Sequence, residues 1–254
     1  MQLFEGDCLD IMKSLPDRSV DLVLCDLPYG TTTCKWDAVI PFIPMWDAYE
    51  RLLAPQGNIV LFAKQPFTSM LLLSKIDLFR YSWIWQKTHA ANFMSAKYRP
   101  LAKHEDILVF ARTKAHYYPQ MTTGPTVMKR IGKEPYRNRN KKDDSVIGNG
   151  PADLKAVPSD RYYPSSILSF SGDAMCKRFH PTQKPVALME YLIKTYTSEG
   201  DTVLDNCMGS GTTGIACTNL KRNFVGIERD SKYFQIAKSR ITEILDEITI
   251  FGEK

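Results

Sequence analysis

The chain has 254 residues, 44% of them hydrophobic, enough for one sizeable core with room for an added lobe. No apolar run approaches the roughly 20 residues of a membrane span. Met1 to Asp7 lacks the basic start of a signal peptide, and the six cysteines form no CxxC pair. A membrane anchor, a disulfide framework and a zinc site are therefore not expected, and no metal is; a reducing cytoplasm fits. The net charge of +5 is uneven, because residues 112–178 hold 13 Lys and Arg against 6 Asp and Glu. A local basic excess is the footprint of a polyanionic partner, although charge alone reads equally well as a solvated loop.

In chain order, residues 2–4 read as a short strand ending at Gly6-Asp7, and residues 9–15 as a short helix. A buried strand over 20–25 leads into Asp26-Leu27-Pro28-Tyr29, followed by a polar loop containing Lys35 and Trp36. A helix over 42–53 is stopped by Ala54-Pro55-Gln56-Gly57; a strand over 58–63, a helix over 67–74 and strands over 81–86 and 106–111 follow. The final third alternates helix 185–196, strand 202–205, helix 211–220, strand 224–228 and helix 231–248. Such alternation implies a parallel sheet covered on both faces. Residues 113–178 break the rhythm. They are rich in Gly, Pro and Asn, keep no helical period and coincide with the charge excess. Long irregular insertions of this kind are functional or disordered. The expected division is therefore 1–112, an inserted basic segment 113–178, and 179–254. Cys25, Cys207 and Cys217 sit in apolar contexts and read as packing residues.

Two short segments carry the chemistry. Strand 202–205 ends in Asp205 and runs through Cys207, Gly209, Ser210, Gly211, Thr212 and Thr213 into a helix. Glycines there let the backbone approach a nucleotide-type ligand closely. Glu228 ends the next strand, near the spacing at which an acid meets ribose hydroxyls. There is no GxxxxGK[ST] run, so a phosphate loop is excluded; Gly209 to Gly214 also matches the letters of the dinucleotide pattern, which keeps a nicotinamide-dependent oxidoreductase open.

The Asp26-Leu27-Pro28-Tyr29 segment suits a different task. The exocyclic amine of adenine or cytosine is a poor nucleophile, because its lone pair is delocalised into the ring. A carboxylate (Asp26) and a fixed carbonyl (Leu27 or Pro28) can accept its N–H bonds and turn the lone pair outward. An aromatic face (Tyr29) can hold a base extruded from the duplex.

Taken together, these segments resemble the N6-adenine/N4-cytosine DNA methyltransferases of the β arrangement. In that group the catalytic motif precedes the target-recognition segment and the S-adenosylmethionine motif comes last. Two departures stand out: Leu27 where Pro is usual, and Asn206-Cys207 where Pro-Phe is usual. Glu5 to Leu9, Trp85-Gln86-Lys87 with His104-Glu105, and His180 to Pro185 extend the resemblance along nearly the whole chain. It implies a Rossmann-like three-layer α/β/α sandwich with a mostly parallel seven-stranded sheet, one antiparallel member and a circularly permuted motif order. It implies methyl transfer from S-adenosyl-L-methionine, leaving S-adenosyl-L-homocysteine, to N6 of a flipped adenine in double-stranded DNA, with N4 of cytosine as the alternative. It assigns Asp26, Leu27, Pro28 and Tyr29 to catalysis. Asp7, Cys8, Lys184, Asp205, Cys207, Gly209, Ser210, Gly211, Thr212, Thr213 and Glu228 are assigned to the cofactor, with Lys184 toward its carboxylate or solvated at a helix start. Lys35, Trp36, Arg137, Arg139, Lys141 and Lys142 are the expected DNA contacts. His104 and His180 are expected to be structural. A homodimer and a companion restriction endonuclease are open.

Overall fold

The computed structural model describes residues 1–30, 37–114, 116–131, 155–171 and 183–252. Lys35, Trp36, Arg137, Arg139, Lys141, Lys142 and His180 lie outside them. Two compact units are present: Met1–Tyr118 with Ser165–Lys254, and Pro119–Pro164.

The larger unit is built on β1 (Gln2–Glu5), β2 (Val20–Asp26), β3 (Leu53–Ala63), β4 (Phe79–Ala91), β5 (Ala102–Phe110), β8 (Ile167–Ser169), β9 (Thr202–Asp205) and β10 (Asn223–Glu228). They form an eight-stranded sheet in the order β1-β10-β9-β2-β3-β5-β4-β8. Only β5 runs against the rest, antiparallel to both β3 and β4. Seven strands are those expected from the sequence. The eighth, β8, is a three-residue edge strand pairing Ile167 to Ser169 with Ile84 to Gln86, too short to show a periodicity of its own.

Strict alternation along the central strands sorts their side chains into two cores. Val23, Cys25, Ile59, Leu61, Leu108 and Phe110 face α1 (Cys8–Ser14), α2 (Phe42–Leu52) and α3 (Phe67–Ser74). Leu22, Leu24, Val60, Phe62, Ile107 and Val109 face α4 (Val186–Tyr196), α5 (Thr212–Asn219) and α6 (Ser231–Gly252). The three-layer sandwich follows directly. The first and last thirds of the chain meet in the sheet, where β1 pairs in parallel with β10 and aligns Glu5 with Glu228. The carboxyl ends of β1, β10, β9 and β2 therefore lie side by side, the position at which open α/β sheets bind ligands.

The smaller unit carries β6 (Thr122–Ile131) and β7 (Lys155–Tyr162), an antiparallel pair with a register shift between Thr123 and Val127. The sequence reads as irregular here because Gly124 and Pro125 interrupt any alternation in β6. The two strands are also far apart in the chain, so no local turn signal announces them. Among the described residues no helix is long and apolar enough to cross a membrane.

Candidate active site and cofactor cavity

A cavity of about 850 Å³ opens at the carboxyl ends of these strands. One end is walled by Asp7, Cys8, Cys207, Gly209, Ser210 and Glu228, the other by Asp26, Leu27, Pro28, Tyr29, Glu105 and Lys184. Two sequence motifs separated by most of the chain thus share one space, because β2 and β9 are neighbours in the sheet.

At the Asp26 end, both carboxylate oxygens are engaged. The Tyr29 hydroxyl donates to Asp26 Oδ1 at 2.7 Å, and the Lys184 ammonium donates to Oδ2 at 2.5 Å. Lys184 also stands 3.3 Å from Glu105 Oε2, and Glu105 Oε1 accepts from Lys87. The result is an alternating chain Asp26–Lys184–Glu105–Lys87. Lys184 is nearly inaccessible, with its side chain 7% exposed. Burial opposes its charge, yet Asp26 and Glu105 outweigh burial and hold its pKa above the ordinary value. Burial likewise favours a neutral Glu105, but Lys184 and Lys87 prevail and hold it ionised, below the usual carboxylate range. The Phe62 ring lies 4.9 Å from the Lys184 ammonium and adds a cation–π contact.

Tyr29 is fixed from three directions. Its ring stacks on Phe67 at 5.2 Å and 29°. The Asp37 carboxylate accepts from the Tyr29 and Gly30 backbone N–H groups at 2.8 and 2.9 Å, pinning the chain just beyond the tetrapeptide. Burial and the Asp26 charge push the Tyr29 phenol well above its ordinary pKa, so it remains a hydrogen-bond donor. The Leu27 side chain is buried in the core, where the proline usual at that position would also be apolar.

At the other end the turn after β9 is held by carboxylates rather than left to flex. Asp205 accepts from the Thr213 hydroxyl at 2.5 Å and from the Cys207 N–H at 3.1 Å. Its burial raises its pKa to about 6, the Thr213 bond pulling the other way. Glu228 accepts from the Gly209 N–H at 2.9 Å and from the Asp230 N–H at 2.8 Å; burial pushes its pKa upward. Asp7 caps α1 by accepting from the Leu9 N–H at 2.9 Å. The Arg240 guanidinium, reaching from α6, donates to the Ser210 carbonyl at 2.5 Å.

The two glycines of the turn differ. Gly209 has φ +52 and a side-chain direction that meets nothing within 4 Å. It presents bare backbone to the cavity. Gly211 has φ +81 and does not line the cavity; a Cβ there would lie 2.9 Å from the Ala237 Cβ. Its smallness serves the packing of α5 on α6.

Asn206 and Cys207, where Pro-Phe is usual, are accommodated by new partners. The fully buried Tyr49 donates its hydroxyl to Asn206 Oδ1 at 2.6 Å, tying α2 to the turn. Cys8, Cys25, Cys207 and Cys217 are free thiols. Burial pushes Cys25 up to about 12, and Cys207 and Cys217 are also raised, so packing rather than reactivity describes them. His104 is exposed. Glu105, Lys87, Asp37, Phe67 and Tyr49 were not marked as site residues by the sequence. Only Glu105 and Lys87 left a trace there, inside the second-half segments of the family resemblance.

The cavity fits a nucleoside-sized ligand with a charged tail: acids stand at the ends of two neighbouring strands, a bare glycine backbone lies between them, and the space continues to Asp26. Comparisons with known proteins agree. A DNA methylase family model, of the N6/N4 methyltransferase type, matches residues 20–239. The type II methyltransferase M.HpaI of Haemophilus parainfluenzae is 29% identical, the match covering 94% of this chain and 74% of the relative. M.HinfI of Haemophilus influenzae is 26% identical, over 95% and 68%. The crystal structure of an M1.HpyAVI–SAM complex superposes with TM-score 0.61 at 29% identity, covering 94% of this chain and 98% of that one. The PvuII cytosine-N4-specific DNA methyltransferase shares the fold, with TM-score 0.65 at 17% identity over 97% and 91%.

Proposed function

The chain belongs to the N6/N4 DNA methylase family, an S-adenosylmethionine-dependent DNA methyltransferase group, and from that premise we propose that it methylates N6 of an adenine flipped out of double-stranded DNA. The observation that carries this reading is the doubly held Asp26 carboxylate at the wall of the same cavity as the Gly209 turn.

The flipped base stacks on the face of Tyr29 opposite Phe67. Asp26 accepts one N–H of its amine, and the Leu27 or Pro28 carbonyl accepts the other. These bonds draw the nitrogen toward tetrahedral geometry and free its lone pair. Lys184 and Tyr29 donate to its two oxygens and hold the carboxylate in one orientation, which fixed donors achieve without reorganisation during the reaction. The methylated nitrogen then sheds a proton, and Asp26 is the adjacent base.

S-adenosylmethionine, when bound, supplies an electrophilic methyl group. Asp7, Glu228 and the Gly209–Ser210 backbone hold it in this reading, while Lys184 serves Asp26 and Glu105 rather than the cofactor's carboxylate. The basic segment 113–178 contacts DNA, its Arg137, Arg139, Lys141 and Lys142 neutralising phosphates. The type II names of the relatives support a setting beside a companion restriction endonuclease.

Thermal shift with S-adenosylhomocysteine against NAD tests the cofactor half. A rise in melting temperature with the first alone is expected. A rise with NAD alone would favour an oxidoreductase.

A further inference from the structure

β4 outruns its partner. Its ladder with β5 is broken between Gln86 and Ala91; Thr88, His89 and Ala90 in that gap, and Ala91 where pairing resumes, line the cavity. Asn92, at φ 70, then turns the chain into a short 3-10 turn, Phe93–Ser95. The turn is closed by its own backbone, with the Ala96 N–H donating to the Phe93 carbonyl at 3.1 Å and the Tyr98 N–H to the Ser95 carbonyl at 2.9 Å.

This built turn presents large apolar side chains to solvent. Met94 is 99% exposed, Tyr98 89% and Phe93 68%. An ordered turn that displays three such groups together marks an interaction surface. Its charge indicates the partner. From Lys87 to His104 there is no Asp or Glu, and Lys97, Arg99 and Lys103 are all exposed. Apolar tips amid cations suit a polyanion with a hydrophobic interior, which is duplex DNA.

We propose that the turn at residues 92–101 is a wedge that enters the duplex beside the extruded base. Flipping leaves a gap in the stack, and proteins that unstack DNA insert Phe, Met or similar side chains. Met94 is three residues from the cavity-lining Ala91, so its Cα lies within about 11 Å of it by chain length alone. Lys97, Arg99 and Lys103 then flank the wedge against phosphates. This inference rests on the flipped-base reading above.

The test uses duplex oligonucleotides carrying the site mapped from DNA that the enzyme has itself modified. In one, the target base is paired; in the other, it faces an abasic position and is already unpaired. The double variant Phe93→Ala/Met94→Ala should keep the wild-type melting temperature. It should methylate the paired duplex about tenfold or more slowly, and the abasic duplex within about twofold of wild type. Equal loss on both substrates, or no loss on either, would overturn the wedge. Equal loss with a shift to a smaller species in sedimentation would also overturn it and identify a second copy of the chain as the occupant. If the wild type modifies neither duplex, the methylation reading fails first and the wedge with it.

Discussion

The Lys184 ammonium lies 2.5 Å from Asp26 Oδ2, although 158 residues separate the two in the chain. One cation therefore fixes the orientation of the carboxylate proposed to receive the target amine, and shares itself with Glu105. Lys184→Met should reduce methyl transfer by orders of magnitude. It should also cost about 3–5 kcal/mol of stability, because Glu105 is left buried beside Lys87 alone. Adding Glu105→Gln should restore part of the stability and none of the activity. Denaturant melts and initial rates check both; additive stability losses would show that Lys184 and Glu105 are not coupled.

Tyr29→Phe separates the ring from the hydroxyl. Stacking alone predicts a mild effect, but the hydroxyl donates to Asp26. Loss of a hydrogen bond to a charged group is worth about 1.5–3 kcal/mol, so the rate constant should fall roughly tenfold or more with DNA affinity little changed. Tyr29→Ala should weaken capture of the base as well, by about 1–3 kcal/mol. A Tyr29→Phe enzyme as fast as wild type would remove the hydroxyl from the mechanism.

The glycine turn offers a contrast between neighbours. Gly211→Ala places a methyl 2.9 Å from the Ala237 Cβ at a positive φ, so it should lower the melting temperature. Gly209→Ala meets open space and should cost only the roughly 1–2 kcal/mol of its left-handed backbone, while its methyl intrudes on the cofactor. Calorimetry with S-adenosylmethionine should therefore show a loss of affinity in Gly209→Ala that exceeds that of any folded Gly211→Ala. Equal affinity for wild type and Gly209→Ala would place the cofactor elsewhere.

Asp205 gives the fold a pH signature. Its pKa is raised to about 6, so its contribution to stability is present in full below its ordinary carboxylate pKa and is lost as the pH rises through about 6. The difference amounts to about 3 kcal/mol. Asp205→Asn keeps an acceptor and carries no charge. Relative to wild type, it should gain stability between pH 4 and 7 on the order of that amount. Urea melts across that range check the slope. A pH-independent difference would mean that Asp205 ionises without penalty.

Much of this was legible because it is local. Asp26 and Tyr29 lie three residues apart at the end of a strand with an apolar pattern, and Asp205 and Thr213 are joined across a single turn. What the sequence could not show depends on pairing at a distance. Glu105 reaches Lys184 only because β5 inserts antiparallel beside β3, a choice of topology that no local pattern carries. Gly209 and Gly211 are identical letters, and only α6 behind one of them separates a ligand surface from a packing contact. Asn206 departs from the usual motif, and its compensating partner, Tyr49, stands 157 residues away.

Nucleoside mass analysis of DNA from a methylation-free host, treated with the wild type or Asp26→Ala, tests the central claim most directly. Wild-type DNA should contain N6-methyladenine. DNA treated with Asp26→Ala should contain none, while the variant binds S-adenosylhomocysteine within a few-fold of wild type. N4-methylcytosine in place of N6-methyladenine would contradict the choice of base, and undiminished methylation by Asp26→Ala would contradict the mechanism.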